Sequence, residues 1–470
     1  MQVRALRSAI PATVEERVAR GRAARAKVAR STQAKIARDD VVDPISILER
    51  QAVSRVPELV PLRYGRMSVS PFTFYRGAAA VMAADLAGTP NSGLPVQACG
   101  DAHLLNFGAY QSPERRLVFD INDFDETLPG PWEWDAKRLS ASLVIAGRDR
   151  GFGRSERESA VLSAALAYRE AMASFAEMRN LEVWYARLEV DDMVEQLGAA
   201  KDSTAVRRVE RQRTKALSRD SVQAYAKMTE LVDGQPRFRA DPPLIERIEG
   251  IAGAGSRAAV METLGGLLKS YRRTLVEDRR RVLDSYRLVD IARKVVGVGS
   301  VGTRAWVLLL LGRDDHDPLI LQAKEAQSSV LEPYGPRSEF TNAGQRVVVG
   351  QRLMQATSDI FLGWQRVPGI DGVERDFYVR QLRDGKASAV VETMNAKSLA
   401  LYARACGWTL ARAHARSGDR IAISTYLGRG DTIDRALVSF GEAYADQNEK
   451  DYAALVEAIR VGRLEAVTGI

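Results

Sequence analysis

Two stretches decide how this chain is read: Cys99-Gly-Asp-Ala-His-Leu-Leu-Asn-Phe-Gly108 and Leu117-Val-Phe-Asp-Ile-Asn-Asp-Phe-Asp-Glu126. Acidic side chains gather at Asp101, Asp120, Asp123, Asp125 and Glu126, and Asn106 adds a neutral oxygen. Carboxylate and amide oxygens are the hard donors that Mg2+ takes, with phosphate oxygens usually completing its shell. The plain alternative is an acidic surface turn between two strands, but an Asp/His/Asn cluster among Gly100, Gly108 and Gly130 is poor core material and poor regular structure. Asp120 ends the apolar run Leu117-Val-Phe, where a metal-bridging residue is expected, whereas Asp123 lies closer to Asp135. In an extended strand the two would face opposite sides, so Asp120 and Asp123 stay open as metal ligands beside Asn106.

Working outward, the second informative stretch is Gly297-Val-Gly-Ser-Val-Gly302. A dinucleotide fold needs a helix directly after such glycines. Here the β-rich run Thr303–Leu311 follows, then a turn, then Leu319-Ile-Leu-Gln-Ala-Lys324. Strand, glycine loop, strand and a strand with a single lysine is the kinase arrangement, in which backbone N–H groups and the lysine hold phosphates. The plain alternatives are a simple glycine hairpin and an edge-strand lysine. A helix is expected over 338–356, with Glu339 as the nearest acid to position the lysine; Gln345 and Gln351 occupy its middle.

Asp101 and Asn106 stand at the D-x-x-x-x-N spacing of a kinase catalytic loop. The surrounding Gly-Asp-Ala-His-Leu-Leu-Asn resembles the Gly-Asp-x-His-x-x-Asn of aminoglycoside and choline kinase-like phosphotransferases. That resemblance implies an α+β, protein kinase-like fold with a small β-rich nucleotide lobe and a large helical lobe, and ATP and Mg2+ as cofactors. It implies Asp101, His103 and Lys324 as the catalytic set, and Gly297, Gly299, Ser300, Gly302, Lys324 and Glu339 around the nucleotide. It further implies that Asp135, in Trp134-Asp-Ala136, buttresses the catalytic loop. Residues 398–416 resemble the helix that precedes this loop in the same group, yet here they follow it, so the order looks circularly permuted. His414 on that helix is expected only to pack.

From Pro61 onward the chain also resembles the bacterial family catalogued as domain of unknown function 2252. The resemblance rests on Arg63-Tyr-Gly-Arg-Met67, Ser70-Pro-Phe-Thr-Phe-Tyr-Arg-Gly77, Gly100-Asp-Ala-His-Leu-Leu-Asn-Phe-Gly108, Asn122-Asp-Phe-Asp-Glu-Thr127, Gly130-Pro-Trp-Glu-Trp-Asp-Ala-Lys-Arg-Leu139, Arg346-Val-Val, Gly350-Gln-Arg-Leu-Met-Gln355 and Tyr378-Val-Arg-Gln-Leu-Arg-Asp-Gly-Lys386. The family name carries no activity. Arg63, Arg66 and Arg76 are candidates for the substrate or phosphate side of a site, or else for surface salt bridges.

The implied activity is phosphoryl transfer from Mg·ATP to a small-molecule or protein acceptor, with adenylyl transfer as a close variant. A nucleotide-binding pseudokinase would retain the same residues without turnover. A metallophosphoesterase would share the Asp101-x-His103 opening but wants more histidines than His103, His316 and His414.

Length and composition fit several packed units: 1–60 as a basic helical extension, 61–290 as a helical lobe, 291–390 as the nucleotide lobe and 391–470 as helices returning to the helical lobe. Residues 1–38 carry ten Lys and Arg against Glu15 and Glu16, so the net charge of +8 belongs to this arm. It reads as a solvated helix or as a salt-sensitive contact for nucleic acid or an anionic membrane surface. Two cysteines and no membrane-length apolar run give a cytoplasmic expectation. Residues 39–72 are expected to be irregular because of Pro44, Pro57, Pro61 and Pro71, and 154–230 to be wholly helical.

Overall fold

The computed structural model describes residues 13–38, 43–199, 203–218, 220–251, 257–369, 371–382 and 385–469. The fold is mixed α and β. Its largest sheet has six antiparallel strands in the order Gly363–Pro368, Glu374–Gln381, Pro318–Ala326, Ala305–Leu311, Arg287–Lys294 and Ile245–Arg247. Side chains alternate across a strand, and the apolar run at Val307–Leu311 serves two cores for that reason. Leu308 and Leu310 join Tyr271, Leu275, Phe361 and Phe377 on one face. Val307, Leu309 and Leu311 join Ala224, Met228 and Phe238 on the other.

Ala224, Met228 and Phe238 show that the sheet unit recruits chain well before 291, where the β-rich lobe was expected to begin. Residues 154–230 are correspondingly not wholly helical. The short strand Leu188–Glu189 pairs with Leu117–Ile121, and Thr229–Val232 pairs with Gln235–Phe238 across an Asp233-Gly234 turn, both residues at positive φ. That Asp-Gly step is a hairpin signal carried by the sequence itself.

The helical unit is one core around Trp132–Asp149, Arg154–Glu177, Ala396–Ser417, Arg420–Leu427 and Thr432–Arg460. Helix Ala396–Ser417 runs along Arg154–Glu177, and its C-terminal end meets strand Pro95–Ala98, where Gln97 N–H donates to Ser417 Oγ at 3.2 Å. The strand that leads into Asp101 is therefore held by a helix from the far end of the chain.

Residues 43–72 are helical rather than irregular. Prolines stand in the first turns of Pro44–Ala52, Val60–Met67 and Pro71–Gly77, where their missing N–H costs nothing. Of the basic arm, residues 1–12 lie outside the described residues. Its helix Val14–Lys27 opens on a Thr13/Glu16 capping box and packs on Arg420–Leu427. Arg25 Nε donates to the Tyr426 carbonyl at 3.0 Å and Arg30 Nη1 to that of Leu427 at 2.6 Å, which caps that helix. Arg38 pairs with Asp451 at 2.6 Å. The described arm is thus part of the body, not a solvated extension. Among the described residues no helix is long and apolar enough to cross a membrane.

Candidate active site

The chain turns sharply at Gly100, whose φ is +82°; a Cβ there would lie 2.4 Å from the Glu126 carbonyl oxygen. Only glycine lets strand Pro95–Ala98 pass that close and deliver the next residue, Asp101, into a cavity of about 380 Å3. Asp135, on the first turn of helix Trp132–Asp149, accepts from the N–H groups of Cys99 at 2.7 Å and Gly100 at 3.0 Å. His414 Nε2 lies 3.1 Å from the same carboxylate, and its Nδ1 lies 2.9 Å from the Tyr168 hydroxyl. Asp135 thus fixes the turn before Asp101, and His414 holds it from behind.

Asp101 Oδ1 accepts from Arg138 Nε at 2.8 Å. Burial raises the Asp101 pKa, and Arg138 opposes this without cancelling it. Asn106 Nδ2 donates to the Asp101 carbonyl at 2.7 Å, which leaves the amide oxygen as its other end. His103 is buried with Nδ1 accepting from Leu105 N–H at 3.2 Å and Nε2 3.9 Å from Asp101 Oδ2. Burial, with Arg138 and Arg76 nearby, pushes its pKa well down, so the ring is neutral.

Asp120 and Asp123 part company. Asp120 is fully buried within strand Leu117–Ile121, paired with Arg412 Nη2 and accepting from Ala356 N–H at 2.7 Å. It faces away from the cavity, and the strand-end expectation for it fails because the chain turns only after Ile121. Asp123, on that turn, lines the cavity with Asp101.

Lys324 reaches the same place from the sheet. It is paired in register with Ala305 and Tyr378 and is buried. Its Nζ contacts Asp125 Oδ2 directly and lies 3.8 Å from Asp123 Oδ2. Burial alone would lower its pKa, but Asp123 and Asp125 together raise it. Tyr378, the cross-strand neighbour, donates to Asp125 Oδ1 at 2.7 Å. Helix Ala343–Met354 contributes Arg346, which donates at 2.7 Å to each of the Thr127, Asp125 and Gln327 carbonyls. Glu339 lies exposed ahead of this helix, which starts at Ala343 rather than 338; the lysine is held instead by the acids of the 123–125 turn.

The Gly297–Gly302 segment is a turn between two neighbouring antiparallel strands, with Gly297 and Gly302 at positive φ. Gly299 and Ser300 line the cavity, and Ser300 Oγ is 3.5 Å from Asp125 Oδ2. Arg63 and Arg76 line it too, with Arg55, while Arg66 donates instead to the Gly297 carbonyl at 2.8 Å. The structure brings together Asp101, Asp123, Gly299, Ser300 and Lys324. It leaves Asp120 and Glu339 elsewhere, and seats His103 beneath the loop. Sequence reasoning gave no role to Asp125, Tyr378, Arg346 or Arg55; only the register of Tyr378 opposite Lys324 would have signalled one of them.

Among the described residues no group of three or more His, Cys, Asp or Glu side chains is placed to hold a metal ion on its own. Mg2+ asks less of a protein, one or two carboxylates beside phosphate oxygens, and Asp123 on the cavity wall fits that demand, with Asn106, bonded to the Asp101 carbonyl, as a neutral oxygen on the loop of Asp101. A model of a bacterial family described as an uncharacterized protein conserved in bacteria, domain of unknown function 2252, matches residues 55–458. Neither the curated proteins nor the solved structures contain a match.

Proposed function

The chain belongs to that bacterial family, whose description assigns no chemistry, and from the site itself we propose that it is a Mg·ATP-dependent phosphotransferase of the kinase-like type. One observation carries this reading: Lys324, on the strand after a glycine hairpin, pairs with Asp123 and Asp125, which line one cavity with Asp101. The meeting of Ser417 with the strand before Asp101 supports a circularly permuted order, since the end of helix Ala396–Ser417 abuts the strand that leads into Asp101.

Asp101 is the base. Arg138 occupies Oδ1, which leaves Oδ2, 3.9 Å from His103 Nε2, as the oxygen for the acceptor. The acceptor hydroxyl gives its proton to Oδ2 as its oxygen takes the terminal phosphoryl group of ATP, and ADP leaves. Asp123 and Asn106 would hold Mg2+, which supplies charge neutralisation at the phosphates when bound. Lys324 and the Gly297–Gly302 turn hold phosphates. His103, neutral and bonded to its own loop, is a positioning residue. Adenylyl transfer would use the same groups. A metallophosphoesterase is less favoured, because His316 is exposed on a turn and His414 is committed to Asp135 and Tyr168. The closed Lys324–Asp125 pair favours one second reading, a nucleotide-binding pseudokinase.

Thermal unfolding with and without Mg·ATP tests this. A ligand at a hundredfold its Kd adds about 2.7 kcal/mol to the folded state. The wild type is expected to be stabilised only when Mg2+ is present, Lys324→Ala to lose the effect, and Asp101→Asn to keep it while losing turnover. No stabilisation of the folded wild type at millimolar Mg·ATP would end the reading. Normal binding without turnover on any acceptor would turn it into the pseudokinase.

A further inference from the structure

The cavity has a basic wall as well as an acidic one. Arg63 is fully buried on helix Val60–Met67 and lines the cavity, yet its Nε and Nη1 have no hydrogen-bond partner among the described residues. Only its Nη2 is used, on Gln51 Oε1 at 2.9 Å and the Gly77 carbonyl at 3.1 Å. Arg55, nine-tenths buried, contacts the Val301 carbonyl through Nη1 and leaves Nε unpartnered. Arg76 Nε is likewise buried and unpartnered.

None of the three has a carboxylate within ion-pair distance among the described residues. Acids reach two of them only through space, Glu126, Glu325 and Asp125 acting on Arg55 and Glu392 and Asp101 on Arg76, whereas Arg63 is repelled by Arg55; a buried guanidinium without a paired counter-charge is costly. Burial lowers the pKa of Arg63, and Arg55 lowers it further. Such a cluster has no account as a stabilising feature. It has one as a preorganised receptor, since guanidinium forks fixed by backbone carbonyls match the oxygens of a phosphate group.

We propose that Arg55, Arg63 and Arg76 form a fixed anion site that takes a phosphate group, in the same cavity as Asp101 and Asp123. The site rests on this geometry alone; its place in a reaction rests on the phosphotransfer reading. The phosphate has two possible sources. It is the terminal group of the nucleotide, or it belongs to the acceptor, which is then itself a phosphorylated compound.

Inorganic phosphate, without Mg2+ or nucleotide, is the probe. Thermal unfolding of the full chain is followed against phosphate, with sodium chloride at matched ionic strength as the control. Phosphate is expected to raise the midpoint beyond the chloride control, and Arg76→Gln to weaken the apparent affinity about tenfold or more. Arg63→Met removes the most deeply buried member. Arg76→Gln, at the partly exposed edge, keeps the test decisive if Arg63→Met does not fold. Phosphate and Mg·ATP acting additively would identify a phosphorylated acceptor, and mutual exclusion the nucleotide's terminal phosphate.

No phosphate response beyond chloride, or a response undiminished in Arg76→Gln, overturns the anion site. If Mg·ATP still stabilises the protein in that case, the phosphotransfer reading survives. If phosphate binds and Mg·ATP does not, that reading falls while the anion site stands.

Discussion

Asp120 and Asp123 are three residues apart in one acidic run, and their surroundings give them opposite work. Asp120 is sealed against Arg412, so Asp120→Ala leaves a buried guanidinium unpaired and should cost about 3–5 kcal/mol in denaturant unfolding. Asp123 stands a third exposed on its turn, so Asp123→Asn should change stability little and abolish only the Mg2+-dependent part of nucleotide binding. The acids themselves were legible as a cluster. Which one faces the cavity was not, because Arg412 lies 292 positions away. Glu126 gives a pH test. Burial raises its pKa to about 7 from 4.5, with Arg346 opposing, so the folded protein binds its proton more tightly than the unfolded chain. Its contribution to stability is complete below about pH 4.5 and is lost as pH rises through about 7, by up to about 3 kcal/mol. Glu126→Gln should flatten that slope in unfolding measured from pH 4 to 8.

At the scale of elements, the glycine hairpin and the lysine strand were legible, because a β-rich run after the glycines excludes a dinucleotide fold. The prolines of 43–72 were misread as breakers. A proline in the first turn and a proline that stops a helix are the same residue until the chain downstream is known to be helical. The arm shows how charge misleads in a similar way. Its arginines read as solvent-facing, yet Arg25 and Arg30 satisfy the last carbonyls of helix Arg420–Leu427, and those carbonyls are invisible in the arm's own sequence. Deleting residues 1–38 should therefore lower the unfolding midpoint by several degrees. A purely external arm would leave the midpoint unchanged and remove only contacts with nucleic acid or anionic surfaces.

At the scale of the molecule, the sheet and the helices meet through Asp125 and Arg346. Asp125 takes Lys324 and Tyr378 from two strands, while Arg346 grips three carbonyls between the units. Wild-type protein should unfold in one calorimetric transition. Arg346→Met leaves three carbonyls, that of Thr127 buried, without that donor and should split the transition in two, the sheet unit melting first. The α+β class and the two compositional halves were legible from the sequence. The early entry of residues 221–247 into the sheet unit was not, since a two-strand excursion within a helical stretch is too short to alter its composition.

Asp135, which holds the turn before Asp101, has its own buried partner in His414, 279 positions further on. During synthesis at about 5–20 residues per second, roughly fifteen to fifty-five seconds separate the two leaving the ribosome. Throughout that interval the nascent chain carries Asp101, the acidic turn and, by the end, Lys324, without the helix that holds Asp135 from behind. A ribosome that stalls between residues 324 and 414 releases a fragment with the acidic turn, the glycine hairpin and the lysine but without the histidine behind Asp135, so the assembly of the cavity waits on the last fifth of the message.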